Sequence, residues 1–209
     1  MHFPSLLEIA LMLPAIVLGF TFHELAHGWM AYRLGDNTAL NAGRLTVNPL
    51  AHVDPIGLLL LFIAGFGWAK PVPVNPYNLH VDAGKGMMLI SLAGPAANMI
   101  IAVIAAVLLG VIHWQNPYMT AILEIMIRIN VVLAIFNLLP IPPLDGSKIL
   151  AGIIPYKQQW LHNLETYGMI ILMVLVFFTN IIGNILNFII TPIVNFLIVN
   201  ISSKLAAIF

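Results

Sequence analysis

The chain has 209 residues, of which 61% are hydrophobic and only 8% charged. A soluble domain carries about a quarter charged residues, so most of this chain is built to sit in a bilayer. The net charge is zero, which removes the case for nucleic-acid binding, and the absence of cysteine excludes disulfides, thiolate zinc sites and thiol nucleophiles.

The first apolar segment, residues 6–32, predicts a long membrane helix that Pro14 should kink. Its start lacks a basic n-region, so no cleaved signal peptide is expected. Within it lies His23-Glu24-Leu25-Ala26-His27. Two histidines four apart share one helix face, and both imidazoles can reach a single Zn²⁺. Glu24 between them is placed to take a proton from water at such a metal. Three ionisable residues in five positions at membrane depth are costly and point to a functional site.

Residues 33–48 form the most polar region, and 40–48 read as a small β-hairpin. Residues 55–69 are apolar but short of the roughly 20 needed for a span, so they read as re-entrant or tilted. Lys70-Pro-Val-Pro-Val-Asn-Pro76 is an extended connector. Residues 86–112 and 119–139 predict two full spans, followed by a sharp break at Ile141-Pro-Pro-Leu-Asp-Gly146. A further span is expected at 161–178 and a last apolar helix at 180–209. The prediction is an α-helical integral membrane protein with five to six hydrophobic segments. It forms a single domain over 1–209, with a core at about 1–155 and C-terminal helices beyond it.

The last helix carries Asn180, Asn184, Asn187, Thr191 and Asn195 at helical spacing, as one polar stripe. Such a stripe lines a water-filled or substrate-facing groove, glues packed helices together, or marks a helix lying in the interface; the last two together are the stronger reading.

With the N-terminus of the first span outside, seven of the eight Lys and Arg residues, all but Arg128, fall on the cytoplasmic side. His23 and His27 then lie toward the cytoplasmic end of their helix, and Asp145 lies at about the same depth. A catalytic zinc takes three protein ligands and keeps one position for water. Asp145 is the preferred third ligand, while Asp36, Asp54 and Asp82 share its side and stay open on spacing alone. Asn98 and Asn137, at intramembrane depth, can hydrogen-bond a substrate backbone or an oxyanion, or can tie two helices together. His52 can touch substrate or support the site, against the plainer reading of a surface loop histidine. A competing reading of the whole chain is a non-enzymatic carrier or sensor using the same metal ligands, in which Glu24 is dispensable.

Three motifs in this order resemble the site-2 protease family of intramembrane zinc metalloproteases. They are His23-Glu24-Leu-Ala-His27, Ser91-Leu-Ala-Gly94-Pro95-Ala-Ala-Asn98, and Asn137-Leu-Leu-Pro140-Ile-Pro-Pro-Leu-Asp145-Gly146. The segments beginning Asn48-Pro-Leu-Ala-His52 and Lys70-Pro-Val-Pro-Val-Asn75 are similar to segments of its compact members. The resemblance implies a three-helix metalloprotease core and one Zn²⁺ per chain, held by His23, His27 and Asp145 with Glu24 as base. It also implies cleavage of transmembrane segments of membrane proteins. A compact member without PDZ-like or CBS-like domains is expected, in the cell membrane of a prokaryote.

Overall fold

The computed structural model describes residues 5–64, 67–111, 116–154 and 159–206, except for the side chains of Ala64 and residues 159–166. Helix α1 (Leu6–Arg33) opens on a capping box: the Ser5 hydroxyl accepts the Glu8 N–H, and the Glu8 carboxylate accepts the Ser5 N–H. Its 28 residues continue through Pro14. It stops where the backbone turns left-handed at Gly35, φ +107°.

A polar stretch follows, with a single turn of helix α2 (Thr38–Asn41) and a 3₁₀ turn at Pro49–Ala51. The expected β-hairpin at 40–48 is not there, and no strand forms among the described residues. Asp36 accepts the N–H of Thr38 and starts α2 instead, and Gly43 at φ +65° ends that turn. Without a paired partner strand, nothing holds 40–48 extended.

Helix α3 (Pro55–Ala64) is ten residues long, about 15 Å, too short to cross. Its flanks meet, because Val53 and Ala69 form an antiparallel bridge and the Lys70 N–H donates to the His52 carbonyl. The segment therefore leaves and returns at one place. Its two arms touch at Gly57 and Gly67, where a Cβ on either would collide with backbone of the other arm. The connector then runs through a 3₁₀ turn at Pro76–Asn78.

Helices α4 (Ala83–Val111) and α5 (Pro117–Asn137) pack against α1, and the short α6 (Asp145–Ile153) packs on α4. After α7 (Gln159–Phe178), helix α8 (Ile181–Asn195) continues through a π-helical stretch, Phe196–Ser202, into α9 (Ser203–Ala206). The main core joins Ala102, Ala105 and Ala106 of α4 to Ile127 and Val131 of α5 and to Val194 and Leu197 of the tail. Three alanines on one face let these helices approach closely.

Four described helices are long and apolar enough to span a membrane: Leu6–Arg33, Ala83–Val111, Pro117–Asn137 and Ile181–Ala206. Tyr167–Phe178 is a shorter apolar helix. Each of the six hydrophobic segments of the sequence contains a helix among the described residues, but α3 and α7 are not counted among these four.

The tail differs from its expected direction. Ile182, Gly183 and Leu186 lie by the first turns of α4, around one cavity with Met87 and Ile90. At the other end the Ser202 hydroxyl donates to the Ala106 carbonyl, and Leu205 abuts Gly110. The tail thus runs parallel to α4, and Lys204 lies at the end opposite the loop cations Arg44, Lys70 and Lys85. The reason lies in α7. Gly168 packs on Pro142, and Leu172 and Val176 border the cavity, so α8 begins again close to where α7 began its described contacts.

Candidate metal centre

The fifth and sixth turns of α1 present His23 and His27 on the side that faces α4. His23 Nδ1 lies 2.6 Å from Asn98 Oδ1. The Asn98 amide donates to the Gly19 carbonyl and to Asn130 Oδ1, both at 3.0 Å. Those bonds fix which end of Asn98 is oxygen, so His23 Nδ1 is the donor. His27 Nδ1 lies 2.7 Å from the Ile90 carbonyl, which can only accept. In the neutral ring, both histidines therefore carry the proton on Nδ1 and turn an Nε2 lone pair inward.

Asp145 is the first residue of α6 and is brought to the same point from the end of α5. Its Oδ2 lies 3.1 Å from His23 Nε2 and 3.2 Å from His27 Nε2, and the two Nε2 atoms are 3.0 Å apart. Ligand atoms at about 2.0–2.1 Å around a tetrahedral Zn²⁺ are roughly 3.3 Å from one another, so this triangle fits that ion. Asp145 Oδ2 is buried and takes no hydrogen bond. Three acceptor atoms converge with no donor between them, an arrangement that a cation relieves. Among the described residues these three are the one such group.

Gly94 makes room for the pair. A Cβ there would sit 2.5 Å from His27 Nε2 and 2.7 Å from His23 Cε1. The glycine of the second sequence motif is thus a space for two imidazoles.

Glu24 lies beside the triangle, and its Oε2 accepts the Val72 N–H at 2.8 Å. That N–H belongs to the extended connector, which two charged side chains of the preceding loop hold in place. Arg44 donates to the Lys70 and Pro71 carbonyls at 2.7 and 3.1 Å. Asp36, fully buried, accepts from the Asn75 N–H at 2.7 Å and the Asn78 amide at 2.9 Å.

His23, Glu24, His27 and Asp145 are each 7–9% exposed, and all four border one cavity of about 830 Å³. Its walls are apolar, including Phe20, Leu61, Val132, Phe136 and Leu172. Asn137 also borders it, and its amide donates to the Leu133 carbonyl at 2.9 Å. Asn98 does not face the cavity; it is fully buried behind His23. His52 is fully buried as well, away from the cavity wall, with Nε2 2.7 Å from the Thr46 carbonyl. Asp36, Asp54 and Asp82 all serve as backbone acceptors: Asp54 takes the Ile56 and Gly57 N–H groups, and Asp82 takes that of Lys85.

Sequence reasoning missed Asn130, Val72 and Arg44. Asn130 had a signal, an amide in the middle of an apolar span. Val72 had none, because it acts through its backbone.

The model of peptidase family M50 matches residues 113–181. "Putative zinc metalloprotease YwhC" of Bacillus subtilis (strain 168) is 43% identical over 169 residues, covering 77% of this chain and 77% of that protein. "Putative zinc metalloprotease Rip2" of Mycolicibacterium smegmatis is 32% identical over 173 residues, covering 76% of this chain and 63% of that protein. No solved structure matches. The chain belongs to peptidase family M50, the site-2 protease family of zinc metalloproteases.

Proposed function

We propose that this protein hydrolyses peptide bonds within or beside the transmembrane segments of other membrane proteins. The observation that carries this reading is the triangle of His23 Nε2, His27 Nε2 and Asp145 Oδ2 with Glu24 in the same cavity. The depth and apolar walls of that cavity favour a substrate that arrives through the bilayer. His23, His27 and Asp145 would hold the zinc, and zinc held there would supply Lewis acidity, which acidifies water and polarises a peptide carbonyl.

The chain's own residues do the rest. Asn98 and the Ile90 carbonyl keep both imidazoles turned with Nε2 inward. Glu24 takes a proton from water and passes it to the leaving amine. With Oε2 bonded to the Val72 N–H, its Oε1 is the oxygen left for that transfer. The Asn137 amide, which borders the cavity, is the candidate donor to a substrate carbonyl.

The test compares the parent with Glu24→Gln in lipid bilayers, measuring zinc content and cleavage of single-span model substrates on the same samples. The expected result is about one zinc per chain in both, with cleavage reduced by at least about a hundredfold in the variant. Equal cleavage by the two would show that Glu24 is not the base. Zinc without any cleavage by the parent, over a broad panel, would favour a carrier or sensor.

A further inference from the structure

The polar stripe of the tail has no part in the site. Asn180, Asn184, Asn187, Thr191 and Asn195 are all exposed, and none borders the cavity. Their side chains make no hydrogen bond among the described residues. The buried side of α8 adjoins the stripe without including it: Ile182, Val194 and then Leu197 are buried, the last two against Ala102, Ala106, Ile127 and Val131. The stripe therefore neither lines a groove nor glues helices within this chain. Nor does the helix lie flat in the interface, since it runs beside α4 from the cavity to Gly110, and α4 is of spanning length. Four carboxamides and a hydroxyl thus point out of the bundle from a membrane-length helix, where lipid offers no partner for their donors and acceptors.

We propose that this stripe is the seam of a homodimer, in which α8 of a second copy docks on α8 and the asparagines hydrogen-bond across a twofold axis. The chemistry selects the occupant. Each Asn carries donors and an acceptor, and Thr191 carries one of each kind. None is charged, so a charged partner gains nothing and an apolar one leaves every group unpaired. The complement of such a stripe is another copy of it, and a twofold interface presents the same patch from both sides. The spacing agrees: steps of 4, 3 and 4 from Asn180 to Thr191 are those of a two-helix seam. A substrate helix is a poorer fit, because none of the five stripe residues borders the cavity.

The chain has no cysteine, so one introduced thiol reports one contact. Asn187 is the middle of the stripe and meets its own copy whether the helices pair parallel or antiparallel. Full-length Asn187→Cys, oxidised in membranes with copper phenanthroline, is expected to give disulfide-linked dimers. Ile185→Cys, also exposed, at 43%, but off the stripe, is expected to give few. Adding Asn184→Leu and Thr191→Leu to Asn187→Cys should cut the dimer yield by about tenfold, whereas Asn184→Gln should preserve it. Counting photobleaching steps of the labelled, cysteine-free parent in vesicles gives an independent reading, with two steps expected. A single step, no link at position 187, equal links at 185 and 187, or indifference to the leucines would each overturn the seam. A different protein on the stripe would appear as a one-step parent.

Discussion

The two halves of the proposed site, metal ligands and base, are held in place by different means. On the metal side, His23 and His27 are held from inside the helical core, by Asn98 backed by Asn130 and by the Ile90 carbonyl. Each support is a rigid helix one contact away. On the base side, Glu24 is held by one peptide N–H on a connector, and that connector is fastened to a loop by Arg44 and Asp36. Packed helices fix atoms to tenths of an ångström, whereas a loop fixes them only as well as its clasps. The metal half should therefore break on the addition of one methyl group. The base half should loosen by degrees and leave the metal bound.

The largest effect is expected from Gly94→Ala. Its Cβ cannot coexist with His27 Nε2 at 2.5 Å, and both imidazoles must turn away from Asp145. Zinc content should fall from about one per chain to near zero, with cleavage lost and helicity unchanged by circular dichroism. Retention of full zinc would mean that α1 and α4 can slide apart, and the contrast between rigid and loose halves would collapse.

Asn98→Ala comes next. It removes the acceptor of His23 Nδ1 and leaves that ring free to turn or change tautomer. Loss of such a supporting partner costs about 10–100-fold in metal affinity. Competition with a chelator measures it, and Asn130→Ala, one contact further back, should give a smaller loss in the same assay.

These two variants also mark where the sequence was legible. His23 and His27 show in the spacing because a helix of known period puts them on one face. Asp145 shows because a proline-rich break after an apolar span returns the chain to one depth. Asn98 was visible as a polar group in an apolar helix, but its role was not: nothing local says whether such an amide meets a substrate, a helix or a histidine. The hairpin read into 40–48 was wrong because alternation there is weak and Asp36, outside the segment, starts a helix turn inside it. The contact between Val72 and Glu24 spans 48 positions and uses no side chain of Val72, so no residue type announces it. The direction of the tail was lost for a similar reason, since charge counting assumes that each apolar segment crosses, and α7 brings the chain back to the cavity instead.

Arg44→Gln tests the base side directly. It loosens the grip on the Lys70 and Pro71 carbonyls, next to the peptide that holds Glu24. Cleavage should fall by about tenfold through misplacement of Glu24, carried in kcat rather than KM, with zinc content unchanged. A loss of zinc alongside activity would show that the connector supports both halves and would remove the contrast between them.

The smallest effect is expected from Asp36→Asn, and it carries a sign in pH. Burial raises the Asp36 carboxyl, but hydrogen bonds from Thr38, Asn75 and Asn78 outweigh it and hold the group below the usual carboxylate range. A carboxyl whose folded value lies below its unfolded value, about 3.9, stabilises the folded state above that pH. The contribution disappears as pH falls through the lower, folded value, when the native carboxylate must also take up a proton. The parent should then lose protection of residues 70–78 against hydrogen exchange on acidification below about pH 4. Asp36→Asn, which has nothing to titrate there, should start less protected at pH 7 and change little, so that the gap between the two closes in acid. A gap that stays constant from pH 7 to pH 3 would assign the hold on the connector to the neutral contacts alone, and would leave Arg44 as the charged clasp on the base side.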